Sequence, residues 1–278
     1  MRWLTVALSL MVLFVPGIIS ANTEEDPAVR FNAVELRDCF GKPHPLNALK
    51  ESKVVVVAFL GTECPLAKLY GPRLQVLSER FQNEGVAFVG VCSNVQDSLT
   101  ETVIYTNKSG ISFPMLMDNE QVLADLLQAT RTPEVFVLDQ SRAIQYRGRI
   151  DDQYGISVAR KEPTRGDLAE AIQSVVNGET PSVASAPAVG CVIGRRNHVE
   201  PHGDITFTRH IAPIFNARCV ECHRAGEIAP FPLTSFDETV GWEATIAEVV
   251  REDRMPPWNA NPEFGHFKND ARLSTDEK

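Results

Sequence analysis

KVVVVAFLGTECPLAKLYGPRL, residues Lys53–Leu74, decides the fold. Its first half is a continuous β-branched and apolar run, which predicts a strand buried on both faces and paired in parallel. Its second half places Leu66, Leu69, Leu74 and, beyond the quoted stretch, Leu77 and Phe81 at three- and four-residue steps, which predicts a helix with Pro72 kinking it. Cys64 falls between the two. A thiol at the junction of a strand and a helix N-terminus has the helix dipole and free N–H groups to stabilise its thiolate.

Outward from this unit the pattern repeats. Val86–Cys92 predicts a second buried strand, Asp97–Ser109 a helix closed by Gly110, Phe113–Met117 a short strand and Glu120–Ala129 a helix. Glu134–Asp139 and Ala143–Arg149 predict a hairpin, and Asp167–Val176 a closing helix ended by Gly178. Alternating strands and helices followed by a hairpin and a helix define an α/β sandwich. Thr132–Pro133, just before EVFVLD, predicts a cis-proline loop facing Cys64, with Arg131 placed either to steady a thiolate or on the surface.

The chain has 278 residues, 44% apolar and 23% charged, with a net charge of −9, which suits two globular domains and excludes a chain-wide polyanion binder. Nucleic acid is therefore not an expected partner. Met1 and Arg2, the apolar run Trp3–Val15 and the small residues near Ala21 read as a secretory signal over residues 1–21, with an uncleaved membrane anchor as the alternative. The expected location is periplasmic or otherwise exported from a bacterium, with no membrane span after cleavage. The α/β block is placed at 28–180, a linker or strap carrying Cys191 at 181–203, and a small, mostly α module at 204–278.

Cys219-Val220-Glu221-Cys222-His223 is C-x-x-C-H, the attachment pattern of a c-type haem. Two thiols one helical turn apart reach the haem vinyl groups, and the adjacent imidazole reaches the iron. Met255, held in the stiff Met-Pro-Pro-Trp stretch, is the expected second axial ligand, with His266 as the alternative. The rival is a Cys2His2 zinc site made from Cys219, Cys222, His198 and His202. One covalent haem c per chain is the expected cofactor.

Cys64 has no C-x-x-C partner, because Gly61 stands three residues before it. It is read either as redox-active or as a structural thiol. Cys191 is its candidate resolving partner if the strap folds back over the same face. Cys39 and Cys92 read as buried small apolar residues, with a Cys39 disulfide left open.

The stretches GTECPLAKLYGPRL, RTPEVFVLD, YRGRIDDQYG, PTRGDLAEAI and AVGCVIGRR resemble the peroxiredoxin-like redoxins (AhpC/TSA type) of the thioredoxin superfamily. The resemblance implies a thioredoxin-like fold, with Cys64 at the second position of the C-x-x-C-P common in relatives and Cys191 at a further family cysteine. The stretches ITFTRHIAPIFNARCVECHRAGEIAPFPL, RMPPW and FKNDARLS resemble a c-type cytochrome module found after such redoxins. That implies haem ligation by His223 and Met255, and a module incomplete at its C-terminal end. Two functions follow as expectations. One is an exported redox protein joining haem electron transfer to thiol chemistry at Cys64, of oxidoreductase or peroxidase type. The other is an electron carrier on a vestigial redoxin scaffold. The partners would be a redox protein or downstream domain, or a small thiol, disulfide or peroxide.

Overall fold

The computed structural model describes residues 27–156, 158–196, 203–258, 260–265 and 267–278. The predicted signal segment, His198, His202 and His266 lie outside these residues.

Strand β3 (Val54–Phe59, in order after β1, Glu35–Asp38, and β2, Pro43–Pro45) is the centre of the molecule, and all six of its residues are buried. It pairs in parallel with β4 (Val86–Cys92) and antiparallel with β7 (Glu134–Leu138), following β5 (Met115–Met117) and β6 (Arg131–Thr132). Alternation sends successive side chains to opposite faces. Val54, Val56 and Ala58 pack with Ala67, Tyr70 and Leu74 on one side. Val55, Val57 and Phe59 pack with Phe31, Leu123 and Phe136 on the other. A run that is apolar without alternation is thereby explained: both faces are covered. Each such side chain contributes about 1.5–3 kcal/mol through burial.

The covering helices are α1 (Pro27–Ala33), α2 (Pro65–Phe81), α3 (Leu99–Lys108), α4 (Val122–Leu127) and α5 (Asp167–Val176). A capping box of Ser98 and Glu101 starts α3, later than the Asp97 start read from sequence. Helix α2 is assigned without interruption through Pro72. The hairpin is completed by β8 (Ile144–Gly148), and a small ribbon, β9 (Tyr154–Gly155) with β10 (Val158–Ala159), follows.

The segment expected as a linker or strap at 181–203 contributes two short strands over its described residues. Strand β11 (Ser185–Ala186) adds in parallel to β8 as an edge, and β12 (Cys191–Val192) pairs antiparallel with β6. The larger sheet runs β11-β8-β7-β3-β4-β5-β1-β2. Low charge and Ala/Ser/Pro composition suggested a linker, but short extended segments need only a free sheet edge to pair. The N-terminal helix and the β1–β2 hairpin carried no periodic signal, since each is only one or two turns or pairs long.

Residues 203–278 form α6 (Ala212–Arg218), entered through a π-helical turn at Phe207–Ile211, and α7 (Glu243–Arg251). The single helix expected over Phe236–Arg251 is broken at Gly241, whose φ of +84° no helix accommodates. Among the described residues here, Leu233 and Trp242 are the buried apolar side chains.

Candidate functional site

Cys64 is the N-cap of α2, with Pro65 in the first turn, so its sulfur sits at the positive end of that helix. Its Sγ donates to the Thr132 carbonyl at 2.9 Å, and Thr132–Pro133 is cis. Cys191 lies opposite Thr132 in the β6–β12 register. The two sulfurs are within hydrogen-bond reach of one another, and both cysteines are free thiols. Thus Cys64, Thr132, Pro133 and Cys191, separated widely in sequence, meet at one point.

The Cys191 thiol, donating to the Cys64 sulfur, is the main influence holding the Cys64 thiol below its usual range. Burial opposes it, and the N–H groups of Cys191 and Ala67 and the Thr132 hydroxyl add to it. The same contact, followed by burial and the charges of Cys64 and Asp97, pushes Cys191 up. Cys64 is 2% exposed whereas Cys191 is half-buried, so Cys191 is the more exposed residue of the pair.

Gly61, three residues before Cys64, is closely crowded by side chains. A Cβ there would sit 2.5 Å from Asn94 Nδ2 and 2.9 Å from Thr132 Oγ1. The Asn94 side chain instead accepts from Gly194 N at 3.1 Å and donates to Asp97 at 2.8 Å. Gly190, with φ of +153°, brings the strap onto Thr132 so closely that a Cβ would overlap the Thr132 carbonyl. The second sulfur is therefore supplied by the strap, through backbone contacts only glycine permits.

Behind the pair, Asp97 is buried and accepts from Thr62 N, Thr62 Oγ1, Asn94 and Cys92. Burial pushes its carboxyl up despite these bonds. Burial likewise pushes the Cys92 thiol up, and Cys39 is a buried free thiol beside Thr106. Arg131 bonds the Gly190 carbonyl at 3.0 Å and clamps Glu248 of α7 at 3.2 and 2.5 Å. Thr245 Oγ1 of α7 accepts from Val192 N at 3.0 Å. Sequence reasoning missed Asn94, Asp97, Thr245 and Glu248. The polar run SNVQD after β4 was the available signal for the first two; nothing local marks the others.

In the C-terminal segment, Cys222 N and His223 N both bond the Cys219 carbonyl, at 3.1 and 2.9 Å, so the three motif residues share one turn. His223 Nδ1 lies 3.0 Å from the Phe231 carbonyl. That contact makes Nδ1 the donor and leaves the Nε2 lone pair available as a ligand. The ring packs on Phe231, which stacks on Trp242 at 3.8 Å. Met255 is 40% exposed and borders a cleft of about 530 Å³, together with Arg218, Trp258, Asp270, Arg272 and Lys278. Trp258 Nε1 is buried there without a partner. Two thiols and an oriented imidazole on one turn are the donor set that a c-type haem takes, while Met255 lies on a cleft whose lining includes Arg218 but none of Cys219, Cys222 and His223. His210 serves locally, its Nδ1 accepting from Thr206 N at 2.9 Å. Among the described residues no three His, Cys, Asp or Glu side chains gather around a metal position, and the histidines of the zinc reading lie outside them.

With this geometry in hand, comparison places the N-terminal block. Residues 25–147 match the AhpC/TSA family. The match covers this block alone, and the block has the thioredoxin-like α/β fold. Two solved structures share its fold. One is a hypothetical protein from Sinorhizobium meliloti 1021, with 28% identity, TM-score 0.53, and 58% of this chain and 91% of that one covered. The other is an uncharacterized conserved protein from Geobacillus kaustophilus, with 25% identity, TM-score 0.53, and 62% and 92% covered. Thiol-disulfide oxidoreductase ResA of Bacillus subtilis (strain 168) is 29% identical over 104 residues, 37% of this chain. The chain spans 56% of the length of that curated relative. The family match ends at residue 147, so the haem assignment rests on the residues of the C-terminal segment themselves.

Proposed function

We propose that the protein is an exported thiol–disulfide oxidoreductase whose redox pair is Cys64 and Cys191. The observation that carries this reading is the meeting of the two sulfurs at the cis Thr132–Pro133 loop. Likeness to a thiol-disulfide oxidoreductase agrees with it.

The burial of the two sulfurs assigns their roles. In the oxidised pair, an incoming thiolate attacks the more exposed Cys191 Sγ. The Cys64–Cys191 bond breaks, and its electron pair leaves on Cys64 Sγ. The α2 N-terminus, the N–H groups of Cys191 and Ala67, and the Thr132 hydroxyl stabilise that leaving thiolate. A less basic thiolate leaves faster. A second thiolate then attacks the substrate sulfur of the mixed disulfide, releasing the substrate disulfide and the Cys191 thiolate, which takes a proton. Two substrate thiols are oxidised and the protein pair is reduced; in the reverse sequence Cys191 gives its proton to the Cys64 thiolate and attacks a substrate disulfide, the expelled substrate thiolate takes that proton from Cys64, and Cys64 then closes the pair and expels the second thiolate. This exchanges the roles read from sequence: Cys191 carries the mixed disulfide and Cys64 resolves it. Asp97 and Arg131 set the field around Cys191, the first making its thiol less acidic and the second opposing that.

The test is trapping. Cys64→Ser should accumulate a mixed disulfide on Cys191 with a chromogenic disulfide, detected by mass. Cys191→Ser should react far more slowly, because the remaining sulfur is buried. A mixed disulfide formed mainly on Cys64 would invert the assignment.

For the C-terminal segment the reading is covalent haem c, which Cys219 and Cys222 would hold through thioether bonds and whose iron His223 Nε2 and Met255 Sδ would ligate. When bound, the haem supplies a one-electron redox centre. A haem-stained gel with a pyridine haemochrome spectrum, on protein made in a host that matures cytochromes c, should show one haem per chain. Protein matured in that host without covalent haem would withdraw this part while leaving the thiol reading intact. Export follows from the signal-like residues 1–21 and from the thiol chemistry, which suits an oxidising compartment.

A further inference from the structure

The thiol pair lies beside a strand edge, and what occupies that edge bears on the substrate. Strand β6, which leads into the cis loop over Cys64, is taken by β12 of the chain itself. Ile193 N donates inward to the Thr130 carbonyl at 2.9 Å, so the neighbouring Val192 N–H points outward. That outward group is taken by Thr245 of α7. The strap is held further along as well. Val95 N and Gln121 Nε2 both bond the Gly194 carbonyl, at 3.1 and 2.8 Å, and Gly194 N bonds Asn94. The chain at Gly241, just before α7, packs against Gly194 so closely that a Cβ on Gly194 would lie 2.5 Å from the Gly241 carbonyl oxygen. The Arg131–Glu248 clamp ties α7 to the same loop.

An extended polypeptide that presents its disulfide by adding a strand needs an unpaired main-chain edge next to the reactive sulfur. Here β6 is filled, and the outward donor of the strap that fills it is covered by a helix. Cys191 nevertheless keeps partial exposure while Cys64 has almost none. A substrate small enough to approach one sulfur without pairing to the backbone meets no such obstacle.

We infer that the substrates of the pair are low-molecular-weight thiols and disulfides, not disulfides embedded in polypeptide chains. This rests on the proposed Cys64–Cys191 chemistry and names its substrate class. A protein disulfide reacts only through the fraction of molecules in which the strap has left β6. With that fraction near 1%, the protein substrate is slower by about 100-fold.

The experiment uses the full chain with its pair reduced. Rates are measured against glutathione disulfide and against insulin, with the pair's oxidation followed by alkylation and mass. The expected result is an advantage of about 100-fold or more for glutathione disulfide. Thr245→Val, which deletes the bond covering the strap, should raise the insulin rate about fivefold, the value of one hydrogen bond, and leave the glutathione disulfide rate unchanged. Insulin reacting as fast as glutathione disulfide in the unaltered protein overturns the inference and leaves the thiol-pair function standing. Failure of both substrates to oxidise the pair removes that function instead. The wild-type comparison decides the matter even where the variant misfolds.

Discussion

Residues 27–196 and 203–278 solve the problem of burial in opposite ways. The first region builds a sheet with apolar residues on both faces and covers each face with helices, leaving Val54 to Leu60 without solvent contact. The second keeps Ile205, Ile228, Phe236, Phe264 and Phe267 exposed, Ile228 to 89% and Phe264 to 84%. A region this poor in internal burial leaves apolar surface for a neighbour to cover. One neighbour is the Cys191 strap, against which α7 lies. The other, on the reading proposed above, is a large apolar prosthetic group held by Cys219, Cys222, His223 and Met255.

The sharpest way to break this comparison is to cut one large side chain from each region. Phe59→Ala should cost about 3–5 kcal/mol in urea unfolding, because its ring is fully buried against Phe136. Phe264→Ala, on protein without haem, should change stability by no more than about 0.5 kcal/mol. Similar losses for the two would show that the second region has a core of its own.

Next in size is a spectral effect. In haem-loaded protein, Met255→Ala should abolish the sulfur–iron charge-transfer band at the red end of the ferric spectrum. Its persistence would move the sixth ligand elsewhere.

A pH effect then sharpens the account of the first region. The Cys64 thiol is more acidic folded than unfolded, so folding releases a proton from it below the ordinary thiol range near 8.5. Cys191, shifted upward, stays protonated in both states there and contributes nothing. The Cys64 contribution to the stability of the reduced protein is therefore present above the unfolded pKa and lost as pH falls through the folded one. The stability difference between reduced wild type and Cys64→Ser should grow from pH 5 to pH 8; a flat difference would remove the depressed thiol. The smallest effect concerns the seam. A double-mutant cycle over Arg131→Gln and Glu248→Gln should give a coupling of about 1 kcal/mol or less, since both side chains keep partial solvent contact.

Much of the redoxin block was legible because it is periodic. Strong β-branched runs mark β3, β4 and β7, and α5 is bounded by its Asp167 start and the left-handed Gly178 beyond its end. The short pieces were not legible. The two-residue strands β11 and β12 carry no period, and what fixes them is a free edge on another strand. The site divides along the same line. Cys64, Thr132, Pro133 and Cys191 stand out one by one, through a junction thiol, a Thr-Pro before a strand, and a cysteine after a strap. Which of the two cysteines is the more exposed is a matter of packing, and the roles proposed above follow from that packing.

The sequence by itself determined that a buried parallel strand leads to a thiol at a helix start, and that Cys219, Cys222 and His223 share one turn. Both are local patterns, set by side-chain type and by spacing along the chain. Only the tertiary structure decided that Cys191 returns to Cys64, that side chains crowd closely around Gly61, and that α7 closes the strap through Thr245 and Glu248. Those contacts join residues far apart in the chain, and their energy depends on which surfaces meet, a quantity no single stretch of sequence contains.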